Sequence, residues 1–149
     1  MLKSDAEILL VEDNPNDVKL ALRAFQQHHL ANKVHVVRDG AEALEFMFCT
    51  GRYAERRIEN GPSVILLDLK LPLVDGLEVL RRIKADARTR MIPVVIMTSS
   101  REESDVVESY KIGVNSYIVK PVDFDQFTEV VRQLGYYWLL LNHRPPAGD

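Results

Sequence analysis

Apolar residues in this chain follow two alternating rhythms. Glu7-Ile8-Leu9-Leu10-Val11, Val64-Ile65-Leu66-Leu67, Val94-Val95-Ile96-Met97 and Tyr117-Ile118-Val119 are short runs rich in leucine and β-branched residues. That is the composition of parallel strands buried on both faces. Between them, apolar residues recur at helical steps, as in Val18, Leu22 and Phe25, or Leu44, Met47 and Phe48. The pattern predicts strands over 7–11, 34–37, 64–67, 94–97 and 116–119. It predicts helices over 15–30, 40–50, 76–86, 102–112 and 124–142.

Helix ends carry their own chemistry. Asn14 precedes Pro15, a good N-cap before a residue whose missing N–H costs nothing at the first helical position. Asp39 with Glu42, Asp75 with Glu78 and Asp123 with Gln126 have capping-box spacing, and Gly113 is a C-terminal stop. Alternation of strand and helix makes one α/β domain, a doubly wound parallel sheet with helices on both faces. No repeat and no linker to a second domain interrupts it. One connection, Thr50 to Ser63, is oversized and charged, a length at which loops are functional or merely mobile.

Composition narrows the class further. The 149 residues are enough for one proper core, and 46% hydrophobic with 28% charged residues is ordinary for a soluble protein. A net charge of −3 argues against nucleic acid as the main partner. A single cysteine, Cys49, excludes an internal disulfide and a multi-cysteine zinc site, which suggests a reducing compartment. With no signal-peptide pattern and no membrane-length apolar stretch, the expected location is the cytoplasm, away from membranes.

The chemistry sits where the apolar runs stop. They lead into Glu12-Asp13, Asp68, Thr98 and Lys120, and open α/β sheets bind ligands outside the carboxyl ends of their strands. Asp13 and Asp68 are candidate direct ligands of Mg²⁺, Glu12 a candidate water-mediated ligand, and the Lys70 carbonyl a further oxygen. Crowded carboxylates raise one another's pKa, a cost that a bound cation removes. The same set suits phosphoryl transfer to an aspartate, which forms an acyl phosphate. Lys120 and the Thr98 hydroxyl would bind phosphoryl oxygens, and the Ser99 backbone N–H is a further donor.

Glu12-Asp13, Asp68 followed by Leu71-Pro72 and Asp75-Gly76, Thr98, Tyr117 and Lys120-Pro121 resemble the CheY-like receiver domain of two-component response regulators. The resemblance spans about residues 5–141, leaving a short polar tail over 142–149, so that 1–149 reads as a single receiver domain. It implies a five-stranded, flavodoxin-like sheet of order 2-1-3-4-5 and phosphorylation of Asp68 by a sensor histidine kinase. It also implies a Thr98–Tyr117 switch that alters the α4-β5-α5 face, and a cis Lys120–Pro121 bond. The expected function is a stand-alone phospho-accepting signalling switch rather than an enzyme, limited to self-phosphorylation and slow autodephosphorylation. The Val11–Pro15 opening, the long connection before residue 64 and Pro93-Val-Val-Ile-Met-Thr-Ser-Ser100 resemble single-domain regulators that accompany phytochromes, making a phytochrome the candidate sensor. Lys70 departs from the asparagine expected of such relatives.

Other readings meet obstacles. A haloacid-dehalogenase-type enzyme needs a second acid two residues after the nucleophile, where Lys70 stands. Lys70 and Pro72 likewise occupy the oxygen positions of a calcium loop. A metal-dependent phosphatase and a constitutive scaffold stay open as rivals. The histidines, His28, His29, His35 and His143, lack metal-ligand spacing, and Arg81, Arg82, Lys84, Arg88 and Arg90 read as a solvated face.

The last predicted helix carries one more signal. Phe127, Val131, Leu134, Trp138 and Leu141 form a packing stripe, yet Tyr136, Tyr137, Leu139 and Leu140 add apolar surface around it. A homodimer through this helix is expected, with Phe127, Val131, Tyr136, Tyr137, Trp138 and Leu140 at its interface.

Overall fold

The computed structural model describes residues 7–28, 33–120, 123–130 and 132. Its strands are β1 (Glu7–Val11), β2 (Lys33–Val37), β3 (Val64–Leu67), β4 (Val94–Thr98) and β5 (Ser116–Val119). Its helices are α1 (Pro15–His28), α2 (Gly40–Phe48), α3 (Gly76–Ala85) and α4 (Glu103–Ile112), with α5 described over 124–130. All strand pairs are parallel, in the order β2-β1-β3-β4-β5. None of the helices described is long and apolar enough to cross a membrane.

Strand alternation sorts the core into two layers. Leu9, Val11, Ile65, Leu67 and Ile96 face Phe46 of α2 and Val79, Leu80 and Ile83 of α3. Ile8, Leu10, Leu66, Val95 and Met97 face Val18, Ala21 and Phe25 of α1 and Phe127 of α5. Successive strand residues serve opposite layers, which is why the strands read as unbroken apolar runs.

The second layer corrects two expectations. The buried stripe of α1 is Val18, Ala21, Ala24 and Phe25, while Leu22 turns to its rim and is 38% exposed. Phe127, expected at a dimer surface, is wholly buried, its ring edge-on to Phe25 with centroids 6.2 Å apart. It is sealed between α1 and the sheet and has no area left for a second copy. Val131, Tyr136, Tyr137, Trp138 and Leu140 lie outside the described residues, as does Pro121.

Caps behave as their spacing predicts. Asp39 accepts from Glu42 N at 2.7 Å, and Asp75 from Glu78 N at 3.2 Å. Asp123 and Gln126 exchange both bonds of a capping box. Helix α2 stops short of its predicted end because Cys49 takes the left-handed conformation, φ 59°. Gly51 follows at φ 53°, and the chain turns away.

The long connection is built rather than loose. Two short 3-10 turns, Gly51–Tyr53 and Ile58–Asn60, order it. Tyr53 packs edge-on against Phe46 and donates to Glu42 at 2.6 Å. The Arg56 guanidinium lies 3.7 Å from the centre of the Phe46 ring and 3.8 Å from Glu7. His35 of β2 completes the group, its Nε2 3.1 Å from Glu7. Around α3, Arg81 and Arg82 pair with Glu78, and Arg88 pairs with Asp86. Lys84 donates to the carbonyls of Arg90 and Ile92, so four of these five cations are engaged locally.

Candidate functional site

Parallel pairing aligns the strand ends. Val11 lies beside both Val37 and Leu67, and Thr98 beside Val119. Glu12-Asp13, Asp68, Thr98 and Lys120 therefore meet along one rim. The ammonium of Lys120 is the hub, 2.9 Å from Glu12 Oε1, 3.1 Å from Asp68 Oδ2 and 2.7 Å from Asp17 Oδ2. Glu12 is 2% and Asp68 5% exposed, whereas Asp13 is open to solvent.

Asp17 did not emerge from the sequence. It stands in the first turn of α1, which Asn14 caps by accepting from Asn16 N at 2.9 Å and Asp17 N at 3.3 Å. The only sequence signal was an acid one turn into the helix that leaves the acidic strand end.

The acidic group has the geometry of a cation site. One oxygen each of Glu12, Asp13 and Asp68 can be chosen so that all lie within 4.8 Å of one another. Hard divalent cations take such oxygen sets. Burial, joined by the charge of Asp68 and opposed by the Lys120 hydrogen bond, pushes the Glu12 carboxyl up to about 7. Burial works against the Lys120 ammonium, but hydrogen bonds to Asp17 and Glu12 and the charge of Asp68 outweigh it and hold its pKa above the ordinary lysine value.

The loop after Asp68 is clamped by close backbone approaches. Asp68 Oδ1 accepts from Lys70 N at 3.1 Å. Gly76 N donates to Leu69 O at 2.9 Å, and a Cβ on Gly76 would stand 2.4 Å from the Asp68 carbonyl oxygen. Gly40 N donates to Pro72 O at 3.2 Å, and a Cβ there would meet the Val74 carbonyl oxygen at 1.8 Å. Only glycine lets α2 and α3 press this closely on the loop. Between the clamps, Leu73 holds φ 69° and is 81% exposed. An open cleft of about 380 Å³, lined by Asp13, Lys70, Leu71, Asp75 and Asp105 among others, leads to the acids.

The opposite wall is held by side chains. Thr98 is fully buried, and its hydroxyl oxygen accepts from Ser100 N at 3.4 Å. The Ser100 hydroxyl donates to Asp105 Oδ2 at 2.5 Å, and the Tyr117 hydroxyl donates to the Ser100 carbonyl at 3.2 Å. Burial raises the Tyr117 pKa, only partly offset by an interaction with the Ser100 side chain. The expected Thr98–Tyr117 pair is thus linked through Ser100, which sequence reading had not assigned to the switch. Every acid, hydroxyl and ammonium expected at the rim is found there; the Lys70 side chain is exposed at its mouth.

With this geometry established, comparison with known proteins is direct. Residues 8–132 match the response regulator receiver domain family. The structure of the bacteriophytochrome response regulator RtBRR is 53% identical with a TM-score of 0.78, over 98% of this chain and 86% of that one. Response regulator Rcp1 of Synechocystis sp. is 37% identical over 134 residues, 89% of this chain and 88% of its own length. The Mn(2+)-bound form of Rcp1 has a TM-score of 0.81 at 35% identity, covering 95% of this chain and 99% of that one. The probable methanogenesis regulatory protein FilR2 of Methanothrix harundinacea is 41% identical over 138 residues, 93% of this chain and 86% of its own length. Divalent-metal binding by Rcp1 accords with the carboxylate group found here.

Proposed function

The chain belongs to the response regulator receiver domain family, and from that premise we propose that Asp68 is its phosphoryl acceptor. A histidine kinase supplies the group. An Asp68 carboxylate oxygen forms the new O–P bond as the P–N bond of phosphohistidine breaks, and the electron pair leaves with the imidazole. The observation that carries this reading is the Lys120 ammonium 3.1 Å from Asp68 Oδ2 on a buried acidic rim.

Lys120 gives a donor to a phosphoryl oxygen, the Thr98 hydroxyl gives a second, and the Ser99 N–H gives a third. Glu12, Asp13 and Asp68, with the Lys70 carbonyl, are the residues that would hold Mg²⁺. When bound, the cation supplies neutralisation of the phosphoryl charge. Engagement of Thr98 then pulls on Ser100 and so on Tyr117 and the start of α4.

The sensor is proposed to be a phytochrome-type histidine kinase, as the names of RtBRR-like relatives suggest. Output is proposed to pass through protein contacts rather than nucleic acid, from a single receiver unit acting in the cytoplasm. A homodimer through the remaining apolar residues Val131, Tyr136, Tyr137, Trp138 and Leu140 is part of the reading. Sedimentation equilibrium of the full chain showing monomer alone, phosphorylated or not, removes the dimer.

Incubation with acetyl phosphate and Mg²⁺ tests the acceptor. An acid-stable, hydroxylamine-labile adduct is expected, absent from Asp68→Asn. Sustained multiple turnover of acetyl phosphate, or an adduct that survives Asp68→Asn, overturns the assignment.

A further inference from the structure

The Lys120 ammonium has three N–H donors, and carboxylates occupy all of them: Asp17 at 2.7 Å, Glu12 at 2.9 Å and Asp68 at 3.1 Å. The shortest of these contacts belongs to the residue that the acceptor mechanism leaves unused. Asp17 also stands outside the group of Glu12, Asp13 and Asp68 that can share one cation among the described residues. The two sets of contacts therefore have different owners. Glu12 and Asp68 hold the ammonium and would also hold the cation, while Asp17 holds the ammonium alone.

That division matters once a divalent cation is present. Glu12 and Asp68 would then share their charge with the metal, and a nearby ammonium would be repelled by it. Both changes loosen Lys120 from the rim just when it must meet a phosphoryl oxygen. Asp17 is the one carboxylate contact the cation does not compete for. Its backbone is fixed from both sides, by the Asn14 cap at the helix start and by the buried Val18 next to it.

We infer that Asp17 is a positioning residue for phosphoryl acceptance, retaining the Lys120 ammonium beside Asp68 when a divalent cation occupies the neighbouring carboxylates. This rests on the acceptor role proposed for Asp68. Asp17 touches neither phosphorus nor metal. It acts through Lys120 alone, by holding one donor on the α1 side so that another stays aimed at Asp68.

The test uses the full chain, with Asp17→Asn to remove charge at constant size and Asp17→Glu to restore it. Mg²⁺ affinity is measured by calorimetry, and phosphorylation by acetyl phosphate is followed at saturating Mg²⁺. Asp17→Asn is expected to bind Mg²⁺ within about twofold of the parent while its maximal phosphorylation rate falls about tenfold, the scale of one charge-assisted hydrogen bond. The half-saturating acetyl phosphate concentration stays put, and Asp17→Glu recovers most of the rate. Wild-type speed in Asp17→Asn overturns the inference, and so does a loss of Mg²⁺ affinity that matches the loss of rate. Should Asp17→Asn fold poorly, Asp17→Ser is judged by the same two measurements. If the wild-type chain forms no adduct, or Asp68→Asn keeps one, the acceptor assignment itself fails, an outcome separate from any difference between Asp17 variants.

Discussion

The two ends of the sheet handle charge in opposite ways. At the carboxyl end, three carboxylates crowd one ammonium, two of them almost wholly buried, and Asp13 stands beside them. Toward the other end, Glu7, His35 and Arg56 pair off beside the Phe46 ring, and the long connection lies down on them. Imbalance at the first end stores a demand for positive charge, which is what a cation and a phosphoryl site require. Balance at the second end stabilises the fold and asks for nothing. The same residue types thus do chemistry or packing according to whether their charges close locally.

Breaking each end should separate the two roles. Lys120→Met should lower the phosphorylation rate by about a hundredfold or more, the usual scale for loss of a preorganised electrostatic contact, with the fold retained by circular dichroism. Arg56→Ala should leave that rate unchanged and cost about 1–2 kcal/mol in urea unfolding, through the lost cation–π contact and the stem packing.

A third measurement sharpens the contrast through pH. The folded-state pKa of Glu12 is raised from 4.5 to about 7 by burial first, with the Asp68 charge adding to it against the Lys120 hydrogen bond. Between those values the folded state binds more protons than the unfolded one, so stability falls as pH rises through that window. Without divalent cation the urea midpoint should drop from about pH 5 to about pH 7, and Glu12→Gln should flatten the slope. Tyr53→Phe is the smallest change, about 0.5–1 kcal/mol from the lost bond to Glu42, and it should leave the pH slope untouched.

Much of this was legible in the chain because local rules and tertiary demands agree. Buried parallel strands must be continuous apolar runs, so β1 and β3 fall on their predicted bounds, as does the half-buried edge strand β5. Capping aspartates mark α2, α3 and α5 because their oxygens satisfy N–H groups three residues on. Strand ends converge in any parallel sheet, which is why Asp13, Asp68, Thr98 and Lys120 could be read as one site.

The misses share a different cause. Asp17 meets Lys120 across 103 positions, through the packing of α1 on the sheet, which no local pattern encodes. Phe127 belongs to an apolar stripe, and periodicity alone does not separate the side of a stripe that meets the sheet from a side that could meet a partner. Tyr53 and Arg56 looked like members of a polar loop because their target, Phe46, is hidden in the preceding helix. Leu22 was counted inward because a three-to-four step defines a face only to within the width of one side chain.

The glycine contacts at Gly40 and Gly76 make the acceptor loop the fixed jaw of a vice, since backbone presses on backbone at both points. The facing jaw, beyond Thr98, is fastened by side-chain hydroxyls, those of Thr98, Ser100 and Tyr117, and can be unfastened by rotating them. Bulk added to Asp68 is therefore expected to be taken up on the β4 side, with the first displacement toward α4 rather than α3.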